Sequence, residues 1–121
     1  MKKTVLIIDD EPEICDAMAN DFEEHGFNVI TFREPERAMS YIEENRTPEI
    51  IICDIKMPNI SGVDVYNHVK EKGGAENEHF FFFTGYSILN KEEALNMGAT
   101  GLFYKPFELD DLISAVTCRV F

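Results

Sequence analysis

Five short apolar runs, Thr4 to Ile8, Phe27 to Phe32, Ile50 to Cys53, Phe80 to Phe83 and Leu102 to Tyr104, recur along the chain. The segments between them carry apolar residues at helical spacing. The first and third runs lack the polar alternation of a half-exposed strand, so each reads as a strand buried on both faces. Strands of that kind sit in parallel sheets covered by helices on both sides and joined by right-handed crossovers. The pattern predicts an α/β protein, a small doubly wound (βα)5 fold. With 121 residues and no internal repeat or linker, one domain over 1–121 accounts for the chain.

The intervening segments supply the helices. Pro12 suits the first turn of a helix, Ile14, Cys15, Ala17, Met18 and Phe22 give it an apolar stripe, and Gly26 closes it. Pro35 to Asn45 forms a second helix with Ala38, Met39 and Ile42 inward. Ser61 with Asp64 three residues on has the form of a capping box before Val65 and Val69, and Gly73 and Gly74 end that helix. Ser87 to Met97 has the weakest stripe, with Ile88, Ala94 and Leu95 for its inner face. Leu109, Leu112, Ile113, Val116 and Val120 define the last helix.

A formal net charge of -12 repels phosphate backbones and anionic headgroups, which argues against direct binding to nucleic acid or to a membrane surface. Cys15, Cys53 and Cys118 are odd in number and have no metal-ligand spacing, so they are expected to be small buried hydrophobes rather than a disulfide or zinc set. His25, His68 and His79 likewise lack metal-ligand spacing and read as surface residues. The apolar run after Met1 is too short for a signal peptide, and the expected compartment is the cytoplasm.

Four of the five strands end in a residue that can do chemistry. Asp9 and Asp10 follow the first, Asp54 the third, Thr84 the fourth and Lys105 the fifth. A parallel sheet brings these ends to one edge, where open α/β folds hold their ligands. Taken singly, an acidic pair serves as a solvated turn or a helix cap, Thr84 as a turn residue or cap, and Lys105 as an ordinary surface group. Taken together, crowded carboxylates call for a hard divalent cation, and Mg²⁺ or Mn²⁺ suits Asp10 and Asp54 with Asp9 in support. Phosphoryl transfer is natural at such a site, with Lys105 a second cation, Thr84 a hydroxyl donor and Asp54 a carboxylate nucleophile.

The set resembles the receiver domain of two-component response regulators. The acidic pair, Asp54 followed by Met57, Pro58 and Gly62, Thr84 followed by Gly85, and Lys105-Pro106-Phe107 occur in the family's order along the whole chain. The resemblance implies a flavodoxin-like fold with strand order 2-1-3-4-5. It implies that Asp54 takes a phosphoryl group from a sensor histidine kinase or a histidine phosphotransfer protein. It also implies that Asp9, Asp10, Asp54 and the backbone carbonyl of Lys56 serve a metal ion, with Lys105 on the phosphoryl oxygens and a cis bond before Pro106. Thr84 is then expected to report to an effector domain or target through the face of helix 4, strand 5 and helix 5, and a phosphorylation-linked homodimer is compatible with that role. Lys56 and Tyr86 stand where the family tunes dephosphorylation. Leu102 departs from the pattern, because the family usually carries an aromatic three residues before the lysine; Phe103 is expected on the opposite face, and Tyr104 is a candidate partner contact.

Such a module is a phosphoacceptor rather than an enzyme. The alternatives are a receiver that binds partners without phosphorylation, an Mg²⁺-dependent aspartyl-phosphate phosphohydrolase, and a flavodoxin-like electron carrier. The phosphohydrolase wants a DxD pair, and the electron carrier a phosphate-cradling loop where Asp9, Asp10 and Glu11 stand.

Overall fold

Strands and helices alternate from end to end: β1 (Thr4–Ile8), α1 (Pro12–Glu24), β2 (Asn28–Phe32), α2 (Pro35–Glu44), β3 (Ile50–Asp54), α3 (Gly62–Lys72), β4 (His79–Thr84), α4 (Lys91–Met97), β5 (Gly101–Tyr104) and α5 (Leu109–Val120). The computed structural model describes residues 3–45, 47–72, 79–85, 89–105 and 108–120, with the side chains of 119 and 120 outside that description. The expectations at Gly73, Gly74, Tyr86, Ser87, Ile88, Pro106 and Phe107, and for the Val120 side chain, fall outside the described residues.

The five strands form one sheet in the order β2-β1-β3-β4-β5. All four pairings are parallel. This is the doubly wound, flavodoxin-like arrangement expected from the sequence. Strand parity divides the core in two. Leu6, Ile8, Ile51, Cys53, Phe80, Phe82 and Leu102 face α2, α3 and α4, meeting Ala38, Ile42, Val65, Tyr66, Val69 and Ala94. Val5, Ile7, Ile50, Ile52, Phe81 and Phe83 face α1 and α5, meeting Cys15, Met18, Phe22, Leu112, Ile113 and Val116.

Ile50, Ile51 and Ile52 are completely buried, and each contributes about 1.5–3 kcal/mol relative to an exposed side chain. A run apolar on both faces does not fix its own register, since a slip of one residue exchanges one apolar side chain for another. The polar ends do. Asp54 stands where the core gives out, and at the far edge Glu49 pairs with Lys3 at 2.9 Å.

Three expectations about facing require correction. Ala17 is exposed, because the buried stripe of α1 runs through Cys15, Met18 and Phe22, and Ala17 lies about 100° round the helix from Met18. Leu95 is 45% exposed for the same reason, one step round from Ala94, the single buried residue of α4. Cys118 is exposed, two residues or about 200° from the buried Val116. Cys15 and Cys53 are buried, and burial pushes the Cys15 thiol up to about 11 and Cys53 well above the usual thiol value. No helix among the described residues is long and apolar enough to cross a membrane.

Candidate functional site

The carboxyl ends of the strands bring the chemistry-bearing residues together. Ile8 pairs with Cys53, so Asp9 and Asp54 leave neighbouring strands side by side. Asp54 pairs with Phe83, which puts Thr84 one residue further along the same edge. By strand parity Asp9, Asp54 and Lys105 continue the face covered by α1 and α5, whereas Thr84 continues the face covered by α3 and α4. Asp9, Asp54 and Thr84 are the buried polar or charged residues of the described core.

The amino end of α3 is pressed against the peptide that carries Asp54. The Gly62 N–H donates to the Ile55 carbonyl at 2.8 Å. A Cβ at Gly62 would collide with the Asp54 carbonyl oxygen and come within 2.9 Å of the Ile55 Cα. Glycine is required there by close approach. The expected capping box follows directly: the Ser61 N–H donates to the Asp64 carboxylate at 3.1 Å, and the Asp64 N–H donates to the Ser61 hydroxyl at 3.3 Å.

Lys105 joins the acids. Its ammonium lies 3.0 Å from Glu11 Oε1, 3.3 Å from Asp54 Oδ2 and 3.5 Å from Asp9 Oδ2, over the Phe83 ring at 4.9 Å from the centroid. Its backbone N–H donates to the Thr84 carbonyl at 2.7 Å, which ties the ends of β4 and β5 together. Asp9 is held by its neighbours: Oδ1 accepts from the Glu11 N–H at 3.1 Å, and its carbonyl accepts from the Cys15 thiol at 3.2 Å. Asp9 Oδ2 is buried and, among the described residues, makes no hydrogen bond.

Burial dominates the electrostatics. It pushes the Asp9 carboxyl up to about 7, against the lowering effects of the Glu11 N–H and the Lys105 charge, and the Asp54 charge adds to the rise. Asp54 is also raised, first by burial and further by the charge of Asp10, while Lys105 pulls it back. Burial pulls the Lys105 ammonium down, but the Glu11 hydrogen bond and the charges of Asp9 and Asp54 outweigh it and hold the group above the usual lysine value. Asp9, Asp10, Glu11 and Asp54 each place a carboxylate oxygen within 4.8 Å of the others. Four clustered carboxylates, three of them within 3.5 Å of one ammonium, leave an excess of negative charge that a divalent cation would neutralise.

Asp9, Asp10, Asp54 and Lys105 thus meet as the sequence implies, with Thr84 at the same edge. Lys56 is exposed two residues beyond Asp54. Leu102 is buried opposite Phe82, Phe103 lies on the other face, and Tyr104 is 49% exposed. The histidines lie elsewhere: His25 bonds the Asp21 carbonyl at 2.8 Å and His68 approaches Glu43 at 2.9 Å. Glu11 is the site residue that sequence reasoning passes over. Its signal is a glutamate directly before Pro12, where a shorter side chain caps a helix better.

The family model for the response regulator receiver domain matches residues 5–117. Uncharacterized transcriptional regulatory protein YrkP of Bacillus subtilis is 27% identical over 121 residues, covering 99% of this chain and 50% of the relative. The chain thus spans about half the length of that relative, as it does of KdpE from Mycobacterium tuberculosis. Sporulation initiation phosphotransferase F of Bacillus subtilis is 26% identical, with 96% of this chain and 92% of the relative covered. Among solved structures, the chemotaxis response regulator CheY4 of Vibrio cholerae superposes with a TM-score of 0.86 at 25% identity over 100% of both chains. The response regulator TrrA of Thermotoga maritima, solved in complex with Mg²⁺ and BeF, superposes with a TM-score of 0.82 at 27% identity over 96% of this chain and 97% of that one. With its sheet order, its strand-end acids and lysine and this match over nearly its whole length, the chain belongs to the receiver domain family of two-component response regulators.

Proposed function

We propose that residues 1–121 form a single receiver domain that accepts a phosphoryl group on Asp54 from a phosphohistidine of a sensor histidine kinase or a histidine phosphotransfer protein. The observation that carries this reading is the buried Asp54 carboxylate at the end of β3, with the Lys105 ammonium 3.3 Å away. One carboxylate oxygen attacks phosphorus, a P–O bond forms, the P–N bond breaks, and its electron pair stays on the imidazole nitrogen of the donor. Lys105 stands ready to balance charge on the phosphoryl oxygens, and Phe83 under it keeps the ammonium from bulk water. Thr84 supplies a hydroxyl donor at the same edge.

Asp9, Asp10, Asp54 and the Lys56 carbonyl would hold Mg²⁺ or Mn²⁺, which would neutralise charge on the transferring group. The donor set fits such an ion: the buried Asp9 Oδ2 has no hydrogen bond among the described residues, and hard oxygens surround it. The domain assists its own phosphorylation and dephosphorylation rather than turning over a substrate. It works in the cytoplasm, consistent with three free cysteines, and signals to an effector domain or target through α4, β5 and α5, where Leu95 and Tyr104 are exposed.

Incubation with acetyl phosphate and Mg²⁺ followed by intact mass measurement tests the reading. The native protein should gain one phosphoryl group and Asp54→Asn none. No gain in the native protein, or an equal gain in the variant, would remove Asp54 from the role.

A further inference from the structure

Glu11 opens α1, yet its side chain makes no hydrogen bond to that helix. Glu34 provides an internal comparison. It stands before Pro35 at the start of α2, also without a capping bond, and pairs with Arg37 on its own helix at 2.9 Å. Glu11 instead turns away from its helix and meets Lys105, 94 residues along the chain, at 3.0 Å. That contact is shorter than those of the same ammonium to Asp54 at 3.3 Å and Asp9 at 3.5 Å. The Glu11 side chain is 58% exposed against 5% and 0% for the two buried acids, so Glu11 holds the ammonium from the solvent side while Asp54 accepts from it within the site.

The geometry points to Glu11 as a positioning residue that shares the Lys105 ammonium with Asp54 until a phosphoryl group on Asp54 takes it over, and that thereby sets the affinity of the site for that group. The inference rests on the reading of Asp54 as the phosphoacceptor. A phosphoryl group carries more charge and more acceptor oxygens than a carboxylate, so it wins the ammonium from a solvent-screened partner. The contact to Glu11 must be given up in exchange. Exposed ion pairs of this kind shift an equilibrium constant by about two- to five-fold, which is the expected size of the effect.

The 121-residue chain, saturated with Mg²⁺, is titrated with beryllofluoride while amide resonances are followed, in the native protein, Glu11→Gln and Glu11→Asp. Both variants should bind about two- to five-fold more tightly, because glutamine lacks the charge and aspartate lacks one methylene of reach. Before beryllofluoride is added, the Lys105 side-chain methylene resonances should already have moved in both. A purely structural change at the start of α1 would alter the melting temperature without moving those resonances. If Glu11→Asp behaves as the native protein while Glu11→Gln tightens, the effect is through-space charge and the inference falls. It falls equally if both variants weaken Mg²⁺ binding without tightening beryllofluoride, which would make Glu11 a cation ligand. Failure of the native protein to bind beryllofluoride at all would overturn the Asp54 reading, and this inference with it.

Discussion

Gly62→Ala tests the contact on which the position of Asp54 depends. The added methyl group would collide with the Asp54 carbonyl oxygen and lie 3.0 Å from the Asp54 carbonyl carbon. These are backbone atoms of a completely buried strand and cannot swing aside as a flexible side chain would. Overpacking of this kind costs about 1–3 kcal/mol, while alanine returns up to about 1 kcal/mol in helix propensity. The net expectation is a loss of about 1–2 kcal/mol, or roughly 3–12 °C in Tm for a domain of this size. Gly85→Ala is the matched control. Among the described residues its methyl group would meet the Lys105 side chain, at 3.8 and 3.9 Å, which is ordinary contact, and its stability should stay within about 0.5 kcal/mol of the native value. Urea unfolding of the three proteins reads both numbers. Equal midpoints for Gly62→Ala and the native protein would refute the claim that α3 bears on the Asp54 peptide.

Three further outcomes follow from the site and from α3. The Asp9 carboxyl, raised from 3.8 to about 7, stays protonated in the fold where the unfolded chain has already ionised. The folded state therefore binds more protons between those values, and stability of the metal-free protein falls as pH rises from about 4 to 7, by a few kcal/mol at most. Mg²⁺ needs the ionised carboxylates, so it should raise the urea midpoint more at about pH 8 than at about pH 5; equal increments would count against Asp9 as part of the cation set. Tyr66→Phe removes the hydroxyl that donates to the Met97 carbonyl at 2.9 Å, while Lys70 still donates to it at 3.1 Å. The expected loss is about 0.5–1 kcal/mol, seen as faster amide exchange at Gly98 and Ala99, whose N–H groups close α4. Equal acceleration throughout α5 would mean that the bond supports the whole fold rather than α4.

Most of the architecture is legible because burial on two faces leaves a simple mark. An uninterrupted run such as Ile50–Cys53 reads as a strand, and the polar residue after it reads as an edge. Helical facing is less legible where the stripe is narrow. Ala17, Leu95 and Cys118 are apolar, and whether each lies on the stripe depends on a rotation that composition does not record. The start of α4 illustrates a weak periodic pattern with a stronger local cue. Asn90 accepts from the Glu93 N–H at 2.8 Å, and Glu93 accepts from the Asn90 N–H at 3.1 Å, so the helix begins at Lys91 on a capping box. Asn90 and Glu93 stand three apart in the sequence, whereas apolar spacing alone extends the segment to Ser87. Within the site, Asp9, Asp10, Asp54, Thr84 and Lys105 declare themselves at strand ends. Gly62 declares its place in a motif but not its reason, since the contact with Asp54 exists only once α3 has folded back. Glu11 is hidden because a glutamate beside two aspartates looks like one more surface acid.

The packing around Leu102 bears on the route by which the proposed phosphorylation of Asp54 would reach α4. Tyr66, Phe80 and Phe82 pack edge-on or tilted with ring centroids 5.0–5.7 Å apart in the same cluster as Leu102, so α3 and β4 supply the aromatic bulk beneath α4. A smaller aliphatic residue at 102 suits a space those rings already occupy. α4 itself is fastened at its ends rather than along its face. The Asn90 and Glu93 box holds the first turn, Tyr66 and Lys70 hold the Met97 carbonyl, and Ala94 alone is buried. Gly98, with a φ of 109°, lets the chain leave the helix where a Cβ would meet the Tyr66 hydroxyl at 2.7 Å. A segment with few buried apolar groups and a handful of terminal hydrogen bonds opens at low free energy. A phosphoryl group on Asp54, the proposed acceptor, would supply a few kcal/mol, enough to shift such a segment before a helix such as α5, with Leu112, Ile113 and Val116 in the core. On the proposed reading of Asp54 as phosphoacceptor, the weakly packed α4 is the element that a phosphoryl group would shift before α5.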